Sequence, residues 1–185
     1  MIHKFIKRAP DFIIGPVENP YLFRWYLIPK NRFFNIYLHK FLRSDDDRAL
    51  HDHPWWSIGM ILEGEYMEHV PDLRPGWHRG KTCWDENRWT RKIHRKAYQP
   101  VFRSSKAIHR VELFLHEYVF GEPGPHHTIP GLPVHLVGPV PVWTLFITGP
   151  KVREWGFWCP KGFRPWKEFV SLRDGGNEVG KGCDE

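Results

Sequence analysis

Seventeen prolines and sixteen glycines are distributed along almost the whole of this 185-residue chain, and that punctuation constrains its fold more than any other feature. A proline inside a helix removes a backbone donor and clashes with the preceding turn, so long helices have nowhere to form. The segments left between the breaks are short and rich in aromatic and β-branched residues, as in YLFRWYLI (21–28), FFNIYLHKF (33–41) and VWTLFIT (142–148). Such segments read as strands. Further strands are predicted over 56–62, with 65–70 returning as its hairpin partner at Gly64, and over 97–102 and 109–115. Residues 154–158 and 166–170 close the ordered part. About ten short strands and no amphipathic helix predict an all-β protein, a sandwich or jelly-roll β-barrel with long loops. The length suits one domain with a real core. That barrel is expected over 21–170, with 1–20 wrapping it as a loop and a short edge strand, and 171–185, poor in apolar residues, as a disordered tail.

No apolar run approaches the roughly 20 residues needed to cross a bilayer, and the first fifteen residues lack a secretory h-region. Cys83, Cys159 and Cys183 are odd in number and show no CxxC spacing, so they are expected to be reduced thiols in a cytoplasmic protein. The formal charge of +6 is concentrated in one place. Residues 79–96 hold seven Lys or Arg against Asp85 and Glu86. With Trp84 and Trp89 nearby, this segment could contact phosphates and stack on unpaired bases, although a solvated hairpin around residues 85–87 is the commoner use of such a run. Residues 121–141, dense in proline, glycine and histidine, read as a lid, a binding loop or an inert excursion; solvated histidines are expected at His126, His127 and His135. A homodimer stays open.

The stretch HDHPWWSIGMILEG (51–64) carries the chemistry. Side chains alternate along a strand, so His51 and His53 project from one face, close enough to share a metal ion. The third ligand must come from another strand, and His109 opens the strand-like run HRVELFL. His39 is a reserve ligand or substrate contact, with a half-exposed strand residue as its ordinary alternative. Glu63 shares strand parity with His53 and is a candidate general base, though a glutamate before a hairpin glycine is usually solvated. Trp55, Trp56, Tyr66, Trp143 and Phe146 either wall a pocket or fill the core. Partners that would fix the imidazole tautomers are to be sought at Asp45, Asp46, Asp47, Asp52 and Glu112, without assignment.

The order HxH, strand, Gly64, then a distant strand opening with His109 resembles the two sequence motifs of the cupin superfamily, over roughly residues 33–148. Where the first motif places a glutamate ligand, this chain has Ser57, and RSSKAIH (103–109) lacks the proline and glycine of the second motif's turn. Loss of the glutamate resembles the thiol-dioxygenase branch of the cupins, which holds ferrous iron with three histidines. That branch's late Ser, His and Tyr are not matched, because Thr144, Phe146 and Thr148 stand in the corresponding strand. The stretches HDHPWW, LEGEYME, HRVEL and TLFITGPKVREWGFW also resemble a group of small cupin-like proteins from bacteria and phages, which implies the fold and not a reaction.

The resemblance implies a divalent metal on His51, His53 and His109. Ferrous iron is favoured, with zinc, nickel or manganese as alternatives. Three neutral imidazoles leave the ion its full charge and open positions, which suits an anionic, chelating small molecule and oxygen chemistry. Two alternatives stand beside this oxygenase expectation. One is a metal-independent sugar-nucleotide isomerase or epimerase with a histidine base; the other is a non-catalytic binding or sensor module with a structural metal. In a cupin that has lost its metal, the same histidines are polar residues at the barrel mouth.

Overall fold

A computed structural model of the protein describes residues 6–45, 49–72, 90–120, 134–159, 161–171, 178–179 and 182–183. Its strands, in order, are β1 (Phe12–Ile14), β2 (Leu22–Tyr26), β3 (Asn35–Phe41), β4 (Leu50–His51), β5 (Ser57–Glu63), β6 (Tyr66–Pro71), β7 (Thr90–Arg95) and β8 (Val101–Arg103). They continue with β9 (Arg110–Leu113), β10 (Leu115–Phe120), β11 (Val134–Pro139), β12 (Val142–Thr148), β13 (Gly156–Cys159), β14 (Gly162–Pro165), β15 (Val170–Ser171) and β16 (Glu178–Val179). One helical turn, α1 (Trp166–Phe169), lies between β14 and β15. The all-β expectation agrees with this architecture. No helix among the described residues is long and apolar enough to cross a membrane.

The larger sheet runs β1-β2-β3-β12-β5-β8, and a smaller one runs β7-β6-β9. Every strand pairing among the described residues is antiparallel, and β12 pairs with β3 along its whole length, from Val142↔Phe41 to Thr148↔Asn35. An apolar cluster joins the two sheets: Ile61 and Val142 come from the larger, Tyr66, Val111 and Leu113 from the smaller. Each such side chain, once taken out of water, contributes about 1.5–3 kcal/mol. A second cluster, Trp25, Leu38 and Trp143, is fastened by stacking of the two indoles at 5.3 Å.

The hairpin expected between 56–62 and 65–70 does not form. β6 pairs with β7 and β9, while β5 pairs with β12 and β8. At Gly64, φ is +88°, and a Cβ there would meet Val142 Cγ2 at 3.1 Å and the Pro141 carbonyl oxygen at 3.2 Å. Glycine therefore lets the chain turn tightly against β12 and leave the larger sheet for the smaller one.

Other expectations are corrected locally. The strand expected over 97–102 is confined to β8, because Tyr98, at φ 63°, turns the chain before it. The run 109–115 is divided between β9 and β10, and 166–170 is α1 followed by β15. The loop expected over 121–141 is strand at β11, paired residue for residue with β10; residues 121–133, with His126 and His127, lie outside the described residues. The hairpin expected at 85–87 lies outside them too.

The cysteine expectation is overturned. Cys159 and Cys183 form a disulfide, so the argument from reduced thiols to the cytoplasm does not stand. The described part of the 171–185 tail is correspondingly tied down: β15 pairs with β16, and Cys183 packs against the cluster of Ala49, Phe157, Cys159 and Phe169. Spacing could not reveal a pair 24 residues apart that closes only when the chain folds back over β13.

Candidate metal centre

Two backbone hydrogen bonds set the geometry of the site. The His51 N–H donates to the His109 carbonyl and the His109 N–H to the His51 carbonyl, both at 3.0 Å. This bridge lies at the end of β4 and just before β9, and β13 flanks β4 on its other side with Phe157 opposite His51. His53 follows two residues later. Alternation returns its ring to the side of His51 and sends Asp52 the other way.

The three imidazoles form a nearly equilateral group, with ring centroids 5.0–5.2 Å apart. One ligand nitrogen from each lies within 4.8 Å of the others, and His53 Nε2 faces His109 Nε2 at 3.0 Å. Nitrogens bound to one ion at about 2.1 Å sit roughly 3.0–3.5 Å apart, so small ring movements let this group close on a metal. Trp155 stacks on His53 at 6.3 Å, Phe146 lies 6.3 Å from the same ring, and Phe157 lies 5.8 Å from His51. Burial among these rings, with the other imidazoles adding to it, pushes the His53 pKa well below its ordinary value. Burial likewise lowers His51 to about 4, against the opposing pull of Asp45. Both are thus neutral at pH 7, the form that ligates metal.

Behind the ligands lies a layer of acids and bases that sequence reading left unassigned. Glu68, on β6, is 1% exposed and places Oε1 3.0 Å from His109 Nδ1. Glu68 thus stands on the Nδ1 side of the ring, while Nε2 faces His53 at 3.0 Å. Arg95 Nε donates to Glu68 Oε2 at 2.6 Å, and Arg103 Nε donates to Oε1 at 2.7 Å. Burial opposes the charge on Glu68, but His109, Arg103 and Arg95 together hold its carboxyl well below the usual range. Asp45, one of the acids considered, lies 3.9 Å from His51 Nδ1 and is held by the Tyr21 hydroxyl and by the Val111 N–H at 2.6 Å. Of the other acids considered, Asp52 accepts from the Gly156 N–H, Trp158 Nε1 and Arg153, and Glu112 pairs with His69 and Lys92. Asp46 and Asp47 lie outside the described residues.

The structure thus brings together His51, His53 and His109, and keeps the two other candidates apart from that group. His39, 4% exposed rather than half-exposed, accepts a hydrogen bond at Nε2 from Arg24 Nε at 2.9 Å. Burial and Arg24 hold its pKa well below the ordinary value. It stacks on Tyr37 and lies 5.3 Å from Phe146, whose ring is in turn 6.3 Å from His53. Glu63 closes β5 opposite Trp143. It lies about 13 Å along the strand from Gly59, the register partner of Phe146. Ser57, in the position of the cupin glutamate, is 1% exposed, and its hydroxyl and that of Thr144 have no hydrogen-bond partner among the described residues. The ligand group therefore contains no carboxylate. Trp143 and Tyr66 belong to the core, whereas Trp56 packs outside on Phe102. Of the basic segment, only 90–96 is described, as β7 and the residue after it.

No protein-family model and no curated protein matches the chain. Solved structures do align with it. A cupin superfamily protein from Desulfitobacterium hafniense is 12% identical over 80% of this chain and 85% of its own, with a TM-score of 0.41. A conserved protein with a double-stranded β-helix domain from Klebsiella pneumoniae is 11% identical over 85% of this chain and 94% of its own, with a TM-score of 0.42. A DMSP lyase from Ruegeria pomeroyi is 13% identical over 84% of this chain and 61% of its own, with a TM-score of 0.44. The structures it aligns with include a cupin and a double-stranded β-helix protein, and in this chain the histidines of the stretches HDHPWW and HRVEL are gathered in one group.

Proposed function

We propose that His51, His53 and His109 hold one divalent metal ion, ferrous iron foremost, and that the protein oxygenates a small anionic molecule able to chelate it. The observation that carries this reading is the convergence of three imidazoles with no carboxylate among them. When bound, such an ion keeps its double positive charge and open coordination positions, and so favours anionic chelating ligands and oxygen. The chain supplies the rest. Burial lowers the pKa of His51 and His53 and keeps them unprotonated, Glu68 stands beside Nδ1 of His109, and Phe146, Trp155 and Phe157 line the ligand side. Because its Nε2 already accepts from Arg24, His39 is not offered as a base. Anaerobic purification, reloading with ferrous iron and oxygen-uptake assays over a panel of thiols and organic acids test the proposal. Uptake dependent on one substrate supports it, and its absence across the panel counts against it.

The contact between His109 and Glu68 favours a second reading, because a carboxylate behind an imidazole also builds a general base. A metal-independent isomerase or epimerase of nucleotide sugars would use it so. Metal-free protein that binds and turns over a nucleotide sugar selects this reading. Replacing His53 with alanine isolates the third, a binding or sensor module: loss of folding indicates a structural metal, whereas a folded variant points back to chemistry.

A further inference from the structure

A cleft of about 410 Å3 opens between β7 and β8, within the size range of small-molecule sites. Its walls follow from the register. Glu68 pairs with Ile93 on β7, so Arg91 and Arg95, two residues to either side, point the same way as Glu68. Arg103 and Lys106 line the facing side. Four cationic side chains therefore surround a single carboxylate, and that carboxylate is already engaged by Arg95, Arg103 and His109. Arg91 and Lys106, both exposed, stand at the mouth, and neither forms an ion pair with a carboxylate among the described residues. Between mouth and floor, Ile93, Val101 and Ile108 supply apolar wall.

We propose that this cleft binds a small phosphorylated molecule, its phosphate held by Arg91 and Lys106 and its carbon part against the apolar wall. An exposed cation alone gains little from a single negative charge in water. Two cations at the rim of a low-dielectric cleft, with positive charge below them, favour a dianion, and phosphate oxygens take the charge-assisted hydrogen bonds such groups offer. Glu68 and His109 both line the cleft; Glu68 stands 3.0 Å from His109 Nδ1, whereas His109 Nε2 faces His53. The proposal does not rest on the metal and oxygenase readings, and it is tested on metal-free protein.

The experiment is isothermal titration calorimetry of the full chain at low ionic strength, with inorganic pyrophosphate and adenosine monophosphate as probes. One-to-one binding is expected, weakened by added salt and at least about tenfold by the double substitution Arg91→Ala, Lys106→Ala. Those exposed residues can be removed without touching the core, and an unchanged melting temperature confirms a folded variant. The single reversal Lys106→Glu serves as a second variant and should abolish pyrophosphate binding. Absence of saturable binding by either probe overturns the proposal, as does binding indifferent to all these substitutions. Retention of single-stranded DNA that depends on Arg91 and Lys106, without binding of either small probe, overturns it in favour of a polymer surface.

Discussion

Glu68 and Asp52 are both carboxylates withdrawn from water, 1% and 0% exposed, and both hold arginine, yet they stand to the histidine cluster in opposite ways. Asp52 lies between two ligands in sequence, and the alternation that aims His51 and His53 at the centre aims Asp52 away from it. It accepts from the Gly156 N–H at 3.0 Å, from Trp158 Nε1 at 3.1 Å and from Arg153 at 2.6 Å, binding β13 to the ligand strand. Glu68 comes from a different sheet and meets His109 directly. Adjacency in sequence has produced a scaffold residue, and adjacency through the fold has produced the one that meets a histidine of the cluster.

Substitutions break this comparison if it is wrong. The largest effect is expected from Asp52→Ala, which leaves Arg153 and two further donors without their acceptor and should cost about 3–5 kcal/mol in denaturant unfolding. Protein that remains folded should bind metal nearly as well as the parent, and a loss of affinity equal to that of a Glu68 variant would erase the distinction. Glu68→Gln keeps the shape and an acceptor but not the charge. It should lower metal affinity by about 10–100-fold, measured by competition with a chelator, at a stability cost of about 1–3 kcal/mol.

A third test is a pH slope. The lowered pKa values of His39, His51 and His53 mean that the folded chain holds fewer protons than the unfolded one just below pH 6.5. Stability of the metal-free protein should therefore fall with pH from about 6.5 downward, by at most about 1.4 kcal/mol per unit for each histidine, with the His51 contribution levelling off near pH 4. Glu68, whose carboxyl is held low, stays ionised between pH 7 and 5, and its contribution is lost only at lower pH. Glu68→Gln should thus leave the slope in that window unchanged, as thermal melts across the range would register.

The convergence of His51, His53 and His109 was legible because HxH depends only on strand alternation and His109 opens a recognisable strand. Glu68 was not, since a glutamate at every second or third position of a strand ordinarily faces water. Only the pairing of β6 with β9, opposite Val111, brings it to the interior. Arg103 looked like part of a polar turn, but it ends β8 opposite Ser57, and the turn begins one residue later at Ser104. β11 was hidden by composition, because its Pro139 and Gly138 signal a loop unless a partner such as β10 supplies the ladder. The Cys159–Cys183 bond depends on where the chain returns after α1, which no local pattern encodes.

The reciprocal hydrogen bonds between His51 and His109 bear on how fast the centre can exchange its contents. Two of the three ligands are joined through their main chains, so neither can withdraw its backbone while the other stays. Release of a bound ion by more than a ring rotation then requires the end of β4 to part from the start of β9, and its rate is limited by that local opening. The two amides of the bridge are reporters of this event. Their exchange with deuterated solvent should slow on metal loading by the same factor as the opening itself.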